Sequence, residues 1–283
     1  MTASGAGGGS RTLVFLHEVA GGRRLLHSVR ERAERGDEIA VVAHQNQPEH
    51  GVRISPEELR EAAQSRLDVT LAVFEEFGIH AVGEVMDPDP ALALDDAVRT
   101  YEPDEILISC LAETRFGLLR RDLIEWAKSR FEAEVIHIPV RIEDDAVRWD
   151  VTHTLVVATQ TVNSPDLIAH LKSEAEAHPH RYTFICPRSG DVPREEVGRR
   201  LAATLAEMYR SDIDATGMPL SPEPFAAVEN AVEHYRVDEI LISTLAGEQS
   251  KWLEEGLVER VEDLTEKPVR HVASSAPATA GAL

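Results

Sequence analysis

The chain has 283 residues, of which 43% are hydrophobic and 28% charged, a balance typical of one or two globular domains. No apolar run approaches the roughly 20 residues of a membrane-spanning helix, and the first residues lack the basic and apolar regions of a secretory signal. The formal net charge of −21 disfavours nucleic acid as a partner, and two cysteines without a disulfide framework indicate a cytoplasmic protein.

Two nearly identical stretches reveal an internal repeat. "YEPDEILISCLA" begins at Tyr101 and "YRVDEILISTLA" begins at Tyr235, an offset of 235 − 101 = 134 residues. The earlier stretches "TLVFL" and "TLVVA" begin at Thr12 and Thr154, an offset of 154 − 12 = 142, so the first copy carries about eight extra residues between these points. A period of this length indicates a duplicated domain and not a solenoid.

Each copy alternates short β-branched segments with helical periodicity. In the first copy the predicted strands are "TLVFLH", "EIAVVAH", "HAVGEVM", "DEILISC" and "EVIHIPV", and in the second they are "HTLVVAT", "RYTFICP", "IDATGMP", "DEILIST" and "PVRHVAS". Helix starts are marked by Ser55 before Pro56, and by Asn163 or Ser164 before Pro165. Because the strands are almost continuously apolar, we predict an α/β protein with two tandem doubly wound domains, each holding a five-stranded parallel sheet.

The same pattern predicts the domain boundaries. We expect flexible tails at both ends, two domains and a charged linker between them. The corresponding ranges are 1–10 and 274–283 for the tails, 11–140 and 153–273 for the domains, and 141–152 for the linker.

The fourth predicted strand of each copy ends in small residues, followed by a loop and a helix, which is where open α/β sheets bind ligands. With this region and its order of elements, the sequence resembles the universal stress protein family over about residues 11–140 and 152–273. We predict a non-enzymatic protein, and the resemblance implies that it has a role in stress adaptation. It also implies an intramolecular pseudo-dimer, joined through the fifth strands at 135–140 and 269–273, with further homodimerisation as an additional expectation.

Members of this family that bind ATP carry the motif G-x2-G-x9-G-[ST] directly after the fourth strand. Its glycines let the backbone approach the phosphates. The motif positions fall on Ser243, Ala246, Gly256 and Leu257 in the second copy, and on Ser109, Ala112, Asp122 and Leu123 in the first. Since only one glycine remains, we predict that ATP or another nucleotide binds weakly or not at all, and that no cofactor is required.

We expect any small ligand to bind in the second copy, between the carboxyl ends of its first and fourth strands. The candidate binding residues are small or neutral: Thr159, Gln160, Asn163, Ser243, Thr244, Ala246, Gly247, Ser250 and Gly256. The first copy offers His17, Glu18, Cys110 and Asp122 at the same place, a more acidic set. Two functions stay open, a stress-adaptation protein that binds nothing and a sensor of a nucleotide or another small molecule; an enzyme with an unrecognised site is a third.

Three further stretches carry residue types found in binding sites. The stretch "VAGGRR" at 19–24 is either an anion-binding loop or a glycine-rich surface turn. His137 and His271 are related by the repeat, but no Cys or Asp recurs beside either at the spacing of a metal site, and 178–180 is interpreted as a turn. The motifs of P-loop enzymes, dinucleotide-binding enzymes and serine hydrolases are absent from the sequence. We therefore predict neither a metal site nor a catalytic residue.

Overall fold

The computed structural model of the chain describes residues 9–17, 20–45, 55–110, 117–139, 151–187, 192–220, 224–235, 237–247 and 251–276. Its strands are β1 Arg11–Leu16, β2 Ala20–Gly21, β3 Glu38–His44, β4 Ala81–Met86, β5 Glu105–Cys110, β6 Glu134–Pro139, β7 Thr152–Val157, β8 His180–Pro187, β9 Asp214–Leu220, β10 Glu239–Leu245 and β11 Val269–Ser274. Its helices are α1 Arg23–Arg35, α2 Pro56–Glu76, α3 Pro90–Tyr101, α4 Gly117–Arg130, α5 Pro165–Ala177, α6 Arg194–Arg210, α7 Pro224–His234, α8 Lys251–Glu254 and α9 Leu257–Leu264.

The first sheet has five parallel strands in the order β4-β3-β1-β5-β6. The strands β1 and β5 are buried almost throughout, because helices cover both faces of the sheet. From the central strand β1, the chain adds β3 and β4 on one side of the sheet and then β5 and β6 on the other, which defines a doubly wound sheet. The predicted fold class is confirmed, and each predicted strand of the first copy is present.

The second sheet contains the equivalent strands in the same order, β9-β8-β7-β10-β11, again with parallel pairing. A further strand, β2, lies at its β9 edge. The additional strand comes from the first half of the chain and pairs antiparallel with β9. The second sheet is therefore six-stranded and mixed, where the sequence predicted five parallel strands.

The additional strand docks through a tyrosine. Tyr209 Oη accepts a hydrogen bond of 2.6 Å from the Gly22 amide and donates one of 2.6 Å to the Ala215 carbonyl. Gly21 has a φ of +81°, and a Cβ atom there would lie 2.5 Å from Tyr209 Oη, so this position requires glycine. Within the stretch "VAGGRR", residues 20–22 consequently form a docking segment, and the Gly22 amide that would face an anion is bound to the tyrosine.

Helices α2 and α6, equivalent by the repeat, pack against each other between the two halves. Glu61 pairs with Arg194 at 2.6 Å near their amino ends, and Glu76 pairs with Arg210 at 2.8 Å near their carboxyl ends, so the helices run parallel. Glu76 and Arg210 are 134 residues apart, and a contact between equivalent residues is what a local twofold axis produces. One apolar cluster contains buried residues from both helices and both sheets, including Leu67.

The expected contact between the fifth strands is wrong. In the described residues β6 pairs with β5, and β11 pairs with β10, at the outer edges of their sheets. Residues of β11 from Val269 to Ala273 are half-buried or exposed, whereas the facing sides of α2 and α6 are buried. The halves therefore join through α2 and α6, whose contact removes apolar surface from water.

Helix starts follow the predicted caps. Ser55 caps α2 through a reciprocal pair of hydrogen bonds with Glu58, and Ser164 precedes α5 with Pro165 in its first turn. No helix in the described ranges is both long and apolar enough to cross a bilayer.

The first prediction concerns Tyr209. Tyr209→Phe leaves the buried Gly22 amide and Ala215 carbonyl without this partner, so the free energy of unfolding should fall by about 1–3 kcal/mol in urea denaturation. Exchange of the Gly22 amide with deuterium should accelerate. Tyr182→Phe is the control, because Tyr182 Oη donates to the Leu171 carbonyl within the second half. Unchanged protection of Gly22 in the Tyr209 variant would show that the docking does not need the hydroxyl.

The second prediction concerns Asp214, at the start of β9. Its Oδ1 is buried without a hydrogen-bond partner in the described part, and burial raises the pKa of Asp214 to about 6, against lowering by Arg23 and Arg181. A raised carboxyl pKa means that the folded state binds the proton more tightly than the unfolded chain. The contribution of this group to stability therefore grows as the pH falls from about 6 towards 3.8.

Asp214→Asn removes this contribution. Its gain in unfolding free energy over the natural protein should be largest at pH 7.5 and should shrink at pH 4.5, measured by urea denaturation at both values. Asp212→Asn is the control, because the Asp212 side chain is exposed and pairs with Arg23. A gain from Asp214→Asn of equal size at the two pH values would contradict the prediction.

Candidate functional site

The predicted site lies at the carboxyl ends of β7 and β10, which pair directly at the point where the strand order reverses. Thr159, Gln160 and Asn163 follow β7, and Ser243 and Thr244 lie near the end of β10. The structure thus brings these predicted residues to one edge of the second sheet. Ser250 lies outside the described residues.

Hydrogen bonds within the protein use the hydroxyl groups of this crevice. Thr159 Oγ1 donates to the Pro187 carbonyl, and Thr161 Oγ1 donates to the Ser243 carbonyl at 3.2 Å. Ser243 Oγ lies 3.1 Å from Ser274 Oγ, and both Thr159 and Ser243 are only 1% exposed. These side chains hold neighbouring strand ends together and present no open surface to a ligand.

The segment after β11 covers the start of α5. Ser274 is fully buried, although the sequence assigned it to a flexible tail, and the Ser275 amide donates to Asp166 Oδ2 at 3.0 Å. Hydrogen bonds from Ser275 hold the pKa of Asp166 below its ordinary value. Ser164 Oγ lies 3.5 Å from Ser275 Oγ. The helix start that could bind an anion therefore already has a carboxylate and a segment of the chain beside it.

An open groove of about 1200 Å³ begins beside this crevice and runs between the two halves of the chain. Gln160 and Asn163 line it, and Asn163 Oδ1 is buried with no hydrogen-bond partner in the described part of the chain. The remaining lining residues come chiefly from α2 and α6: Ala72, Glu75, Glu76, Val192, Glu196, Arg199, Arg200, Ala202, Ala203, Leu245 and Ala276. This groove gives a polar ligand room beside the edge of the second sheet.

Charges along the groove are mostly paired. Arg199 and Arg200 both bind Glu196, the second at 2.7 Å, and Glu76 binds Arg210. On the α6 side, two guanidinium groups share one carboxylate. One positive charge is therefore left over, so a ligand with a single negative group would be accommodated there. Glu75 adds negative charge on the α2 side, so a polyanion is disfavoured.

Gly256, the one glycine that remains at the positions of the ATP-binding motif, does not line this groove. Gly256 has a φ of +63° and precedes α9, breaking a helix that is continuous as α4 in the first half. Glu259 Oε2 would lie 3.6 Å from a Cβ at this position, so a carboxylate stands at the helix start where the family motif places a phosphate. Ala246 and Gly247 are exposed, and the Ala246 amide donates to the Ser274 carbonyl at 2.8 Å. In the first half, Asp122 lies inside α4.

The corresponding edge of the first sheet carries histidines and a cysteine. His44 Nε2 lies 3.3 Å from His17 Nδ1, and Cys110 Sγ lies 3.0 Å from His137 Nε2. Burial, with His17 and the charge of Arg66 nearby, keeps the pKa of His44 well below 6.5. Sequence spacing did not reveal the second pair, because its members are 27 residues apart and meet only through the parallel pairing of β5 and β6. In the second half the equivalent pair is Thr244 Oγ1 and His271 Nε2, at 2.8 Å.

A third polar cluster lies at the amino ends of the strands in the second sheet. Glu174, His180 and Glu239 converge there with spacing suited to a metal ion. Arg270 lies between the two carboxylates, with Nη2 2.6 Å from Glu239, and it also binds Glu174. Burial raises the pKa of Glu174, but the hydrogen bond and charge of Arg270 outweigh it and hold that pKa below its ordinary value. The guanidinium supplies the positive charge that a metal would otherwise bring.

No family model matches the sequence, and no curated protein matches it. Among solved structures, a universal stress protein from Archaeoglobus fulgidus DSM 4304 is 16% identical with a TM-score of 0.37, covering 93% of this chain and 96% of that one. A sucrose-phosphate synthase from Thermosynechococcus elongatus is 11% identical, with a TM-score of 0.28 and coverage of 94% and 82%. Acinetobacter baumannii MurG is 11% identical, with a TM-score of 0.26 and coverage of 92% and 85%. The fold class rests on the strand order of this chain.

The third prediction concerns ATP. Calorimetry at neutral pH should give an ATP dissociation constant weaker than about 1 mM, because Glu259 stands at the start of α9 and the Ser243 backbone is buried. Glu259→Gln should not restore tight binding, since the glycine at position 246 is still lacking. A micromolar dissociation constant that Glu259→Lys tightens further would show that this helix start does bind phosphate.

Proposed function

We propose that the chain is a non-enzymatic binding protein that senses a small polar molecule in the groove between its halves. The observation that supports this most directly is the position of Asn163. Its Oδ1 is buried and lacks a partner among the described residues, beside an open groove at the edge where doubly wound sheets bind ligands. A ligand N–H or O–H would satisfy this oxygen.

The lining of the groove suggests the class of ligand. Gln160 and Asn163 offer neutral amides, and Arg199 and Arg200 share the single carboxylate of Glu196. These groups suit a ligand with several hydrogen-bonding groups and at most one negative charge. A nucleoside or a sugar fits this description better than a nucleoside triphosphate, whose charges would meet Glu75 and Glu76.

The absence of catalysis is part of the proposal. Of the carboxylates that line the described groove, Glu76 and Glu196 are bound to arginines, which makes them poor general bases. The resemblance of the sequence to universal stress proteins supports a role in stress adaptation. Cys110 and Cys186 are buried thiols outside any disulfide, which suits a reducing cytoplasm.

The fourth prediction tests the groove. The natural protein should be stabilised against thermal unfolding by at least one compound in a panel of adenosine, AMP, ATP and neutral sugars. Gln160→Ala should weaken the binding of that compound at least about tenfold, because a hydrogen bond is lost. Ala203→Trp should abolish its binding by filling the groove, because Ala203 lines it.

Ala203→Ser is the matched control and should bind normally. Incubation of the bound compound with the protein should return it chemically unchanged. Chemical conversion of the compound by the protein would show that the protein is an enzyme and would contradict the proposal. Equal affinity in the Ala203→Trp and Ala203→Ser variants would show that the ligand binds elsewhere.

A further inference from the structure

We propose that Cys110 is a peroxide-reactive thiol, activated by His137, which hydrogen peroxide oxidises to a sulfenic acid. This modification site lies at the carboxyl edge of the first sheet. It does not involve the groove between the halves, so it is independent of the proposed function.

Strand register brings the thiol and the imidazole together. In the parallel pairing of β5 with β6, His137 lies opposite Ile108, two residues before Cys110. Because side chains alternate between the faces of a sheet with a period of two, His137 and Cys110 project to the same side. Cys110 Sγ lies 3.0 Å from His137 Nε2, a distance at which a nucleophile can pass its proton to a base.

The second half makes the same contact with a hydroxyl group. By the offset of 134, Thr244 and His271 are the counterparts of Cys110 and His137. Thr244 Oγ1 lies 2.8 Å from His271 Nε2, and His271 lies opposite Ile242 in the pairing of β10 with β11. The strand geometry therefore places the imidazole in both halves, whichever side chain it meets. In the first half it meets a thiol, which is a much stronger nucleophile than a hydroxyl at neutral pH.

The second cysteine, Cys186, shows what burial alone does to a thiol. It lies on β8, is 1% exposed within the apolar cluster shared by both halves, and burial raises the pKa of its thiol. A buried thiolate is unfavourable unless a nearby cation compensates for its lost hydration. Cys110 is also buried, at 2% exposure, but the imidazole of His137 can take the thiol proton and remain beside the sulfur as a cation. We therefore expect the two cysteines to differ strongly in reactivity.

The titratable groups on the neighbouring strand ends do not oppose a thiolate. His17 lies beside Cys110, since its amide donates at 3.0 Å to the carbonyl of the preceding residue on β5, and His44 Nε2 lies 3.3 Å from His17 Nδ1. An imidazole is either neutral or positive. Glu105 and Glu134 lie at the opposite, amino ends of β5 and β6, and helices α3 and α4 pack on this face through apolar side chains.

The surroundings favour a small, uncharged oxidant. The sulfur is buried, whereas His137 is exposed on the edge strand β6, so a reactant has to reach the sulfur past the imidazole. The net charge of −21 repels anionic oxidants such as a glutathione disulfide. Hydrogen peroxide is both small and neutral, and thiolates react with it.

The oxidation needs no reagent other than the peroxide. The thiolate of Cys110 attacks one peroxide oxygen, so an S–O bond forms and the O–O bond breaks. The sulfur is oxidised to a sulfenic acid and the peroxide is reduced. The leaving hydroxide takes the proton held on His137 Nε2 and departs as water. A sulfenic acid condenses with other thiols, so this modification is reversible.

The fifth prediction concerns the reactivity of the two thiols. When the reduced full chain is treated with hydrogen peroxide and dimedone, which traps sulfenic acids, peptide mass spectrometry should find the label at Cys110 and not at Cys186. His137→Gln should slow oxidation of Cys110 at least about tenfold at about pH 6, because an unassisted thiol ionises only near pH 8.5. At about pH 9.5 the difference should largely disappear, since the thiol then ionises without help. A purely structural role of His137 would slow oxidation equally at both pH values.

The repeat supplies matched controls. Cys110→Thr copies the second half, so this variant should fold and lose the label. Adding Thr244→Cys to it places a thiol beside His271 and should restore labelling, which a further His271→Gln should slow. In the natural protein, His271→Gln should leave the oxidation of Cys110 unchanged.

Four results would overturn the proposal. They are an unlabelled Cys110 in the folded protein, equal labelling of Cys186, a rate at about pH 6 that His137→Gln leaves unchanged, and no label in the variant that carries Thr244→Cys. His137 is exposed, so His137→Gln should leave the thermal unfolding of the reduced protein unchanged, and a slower oxidation cannot then be attributed to misfolding.

Discussion

The packing of α2 against α6 is the contact on which the rest of the structure depends. Residues of these helices and of both sheets pack into one buried apolar cluster. Burial of apolar surface is the main favourable term in folding. Ion pairs at both ends, Glu61 with Arg194 and Glu76 with Arg210, determine that the helices lie parallel and in register. Exposed pairs of this kind contribute little free energy, so they select the alignment while the apolar cluster supplies the stability.

This contact also creates the groove. Where α2 and α6 leave the carboxyl edge of the second sheet, they form its walls, and the loop after β7 forms its floor. The sheet edge alone would offer little space, because Thr159, Thr161 and Ser243 are used to connect strand ends. The groove therefore depends on the presence of both halves, and neither half alone contains all of its lining residues.

The fold was largely predictable from the sequence, whereas contacts between distant elements were not. Ten strands and the cap at Ser55 follow from local periodicity and helix-start chemistry, which neighbouring residues determine. Strand β2 is two residues long, and its partners are distant in sequence: it pairs with β9, and the neighbouring Gly22 amide donates to Tyr209, 187 residues away. The pairing of Cys110 with His137 likewise depends on strand register. For the candidate site, Gln160 and Asn163 were predicted beside the crevice, but the arginines of α6 were not, since nothing local connects them to β7.

The docking of β2 also shows what the fusion of two copies achieves. Between two identical copies related by a twofold axis, this strand would be exchanged reciprocally, each copy laying it on the edge of the other copy's sheet. Here the exchange runs in one direction only, from the first half to the β9 edge of the second. By the offset of 142 the counterparts of Ala20 and Gly21 are Val162 and Asn163, which form a turn and no strand. The residue position that docks in the first half therefore holds Asn163 in the second, where its side-chain amide lines the groove. Duplication thus allowed one residue position to acquire two different uses.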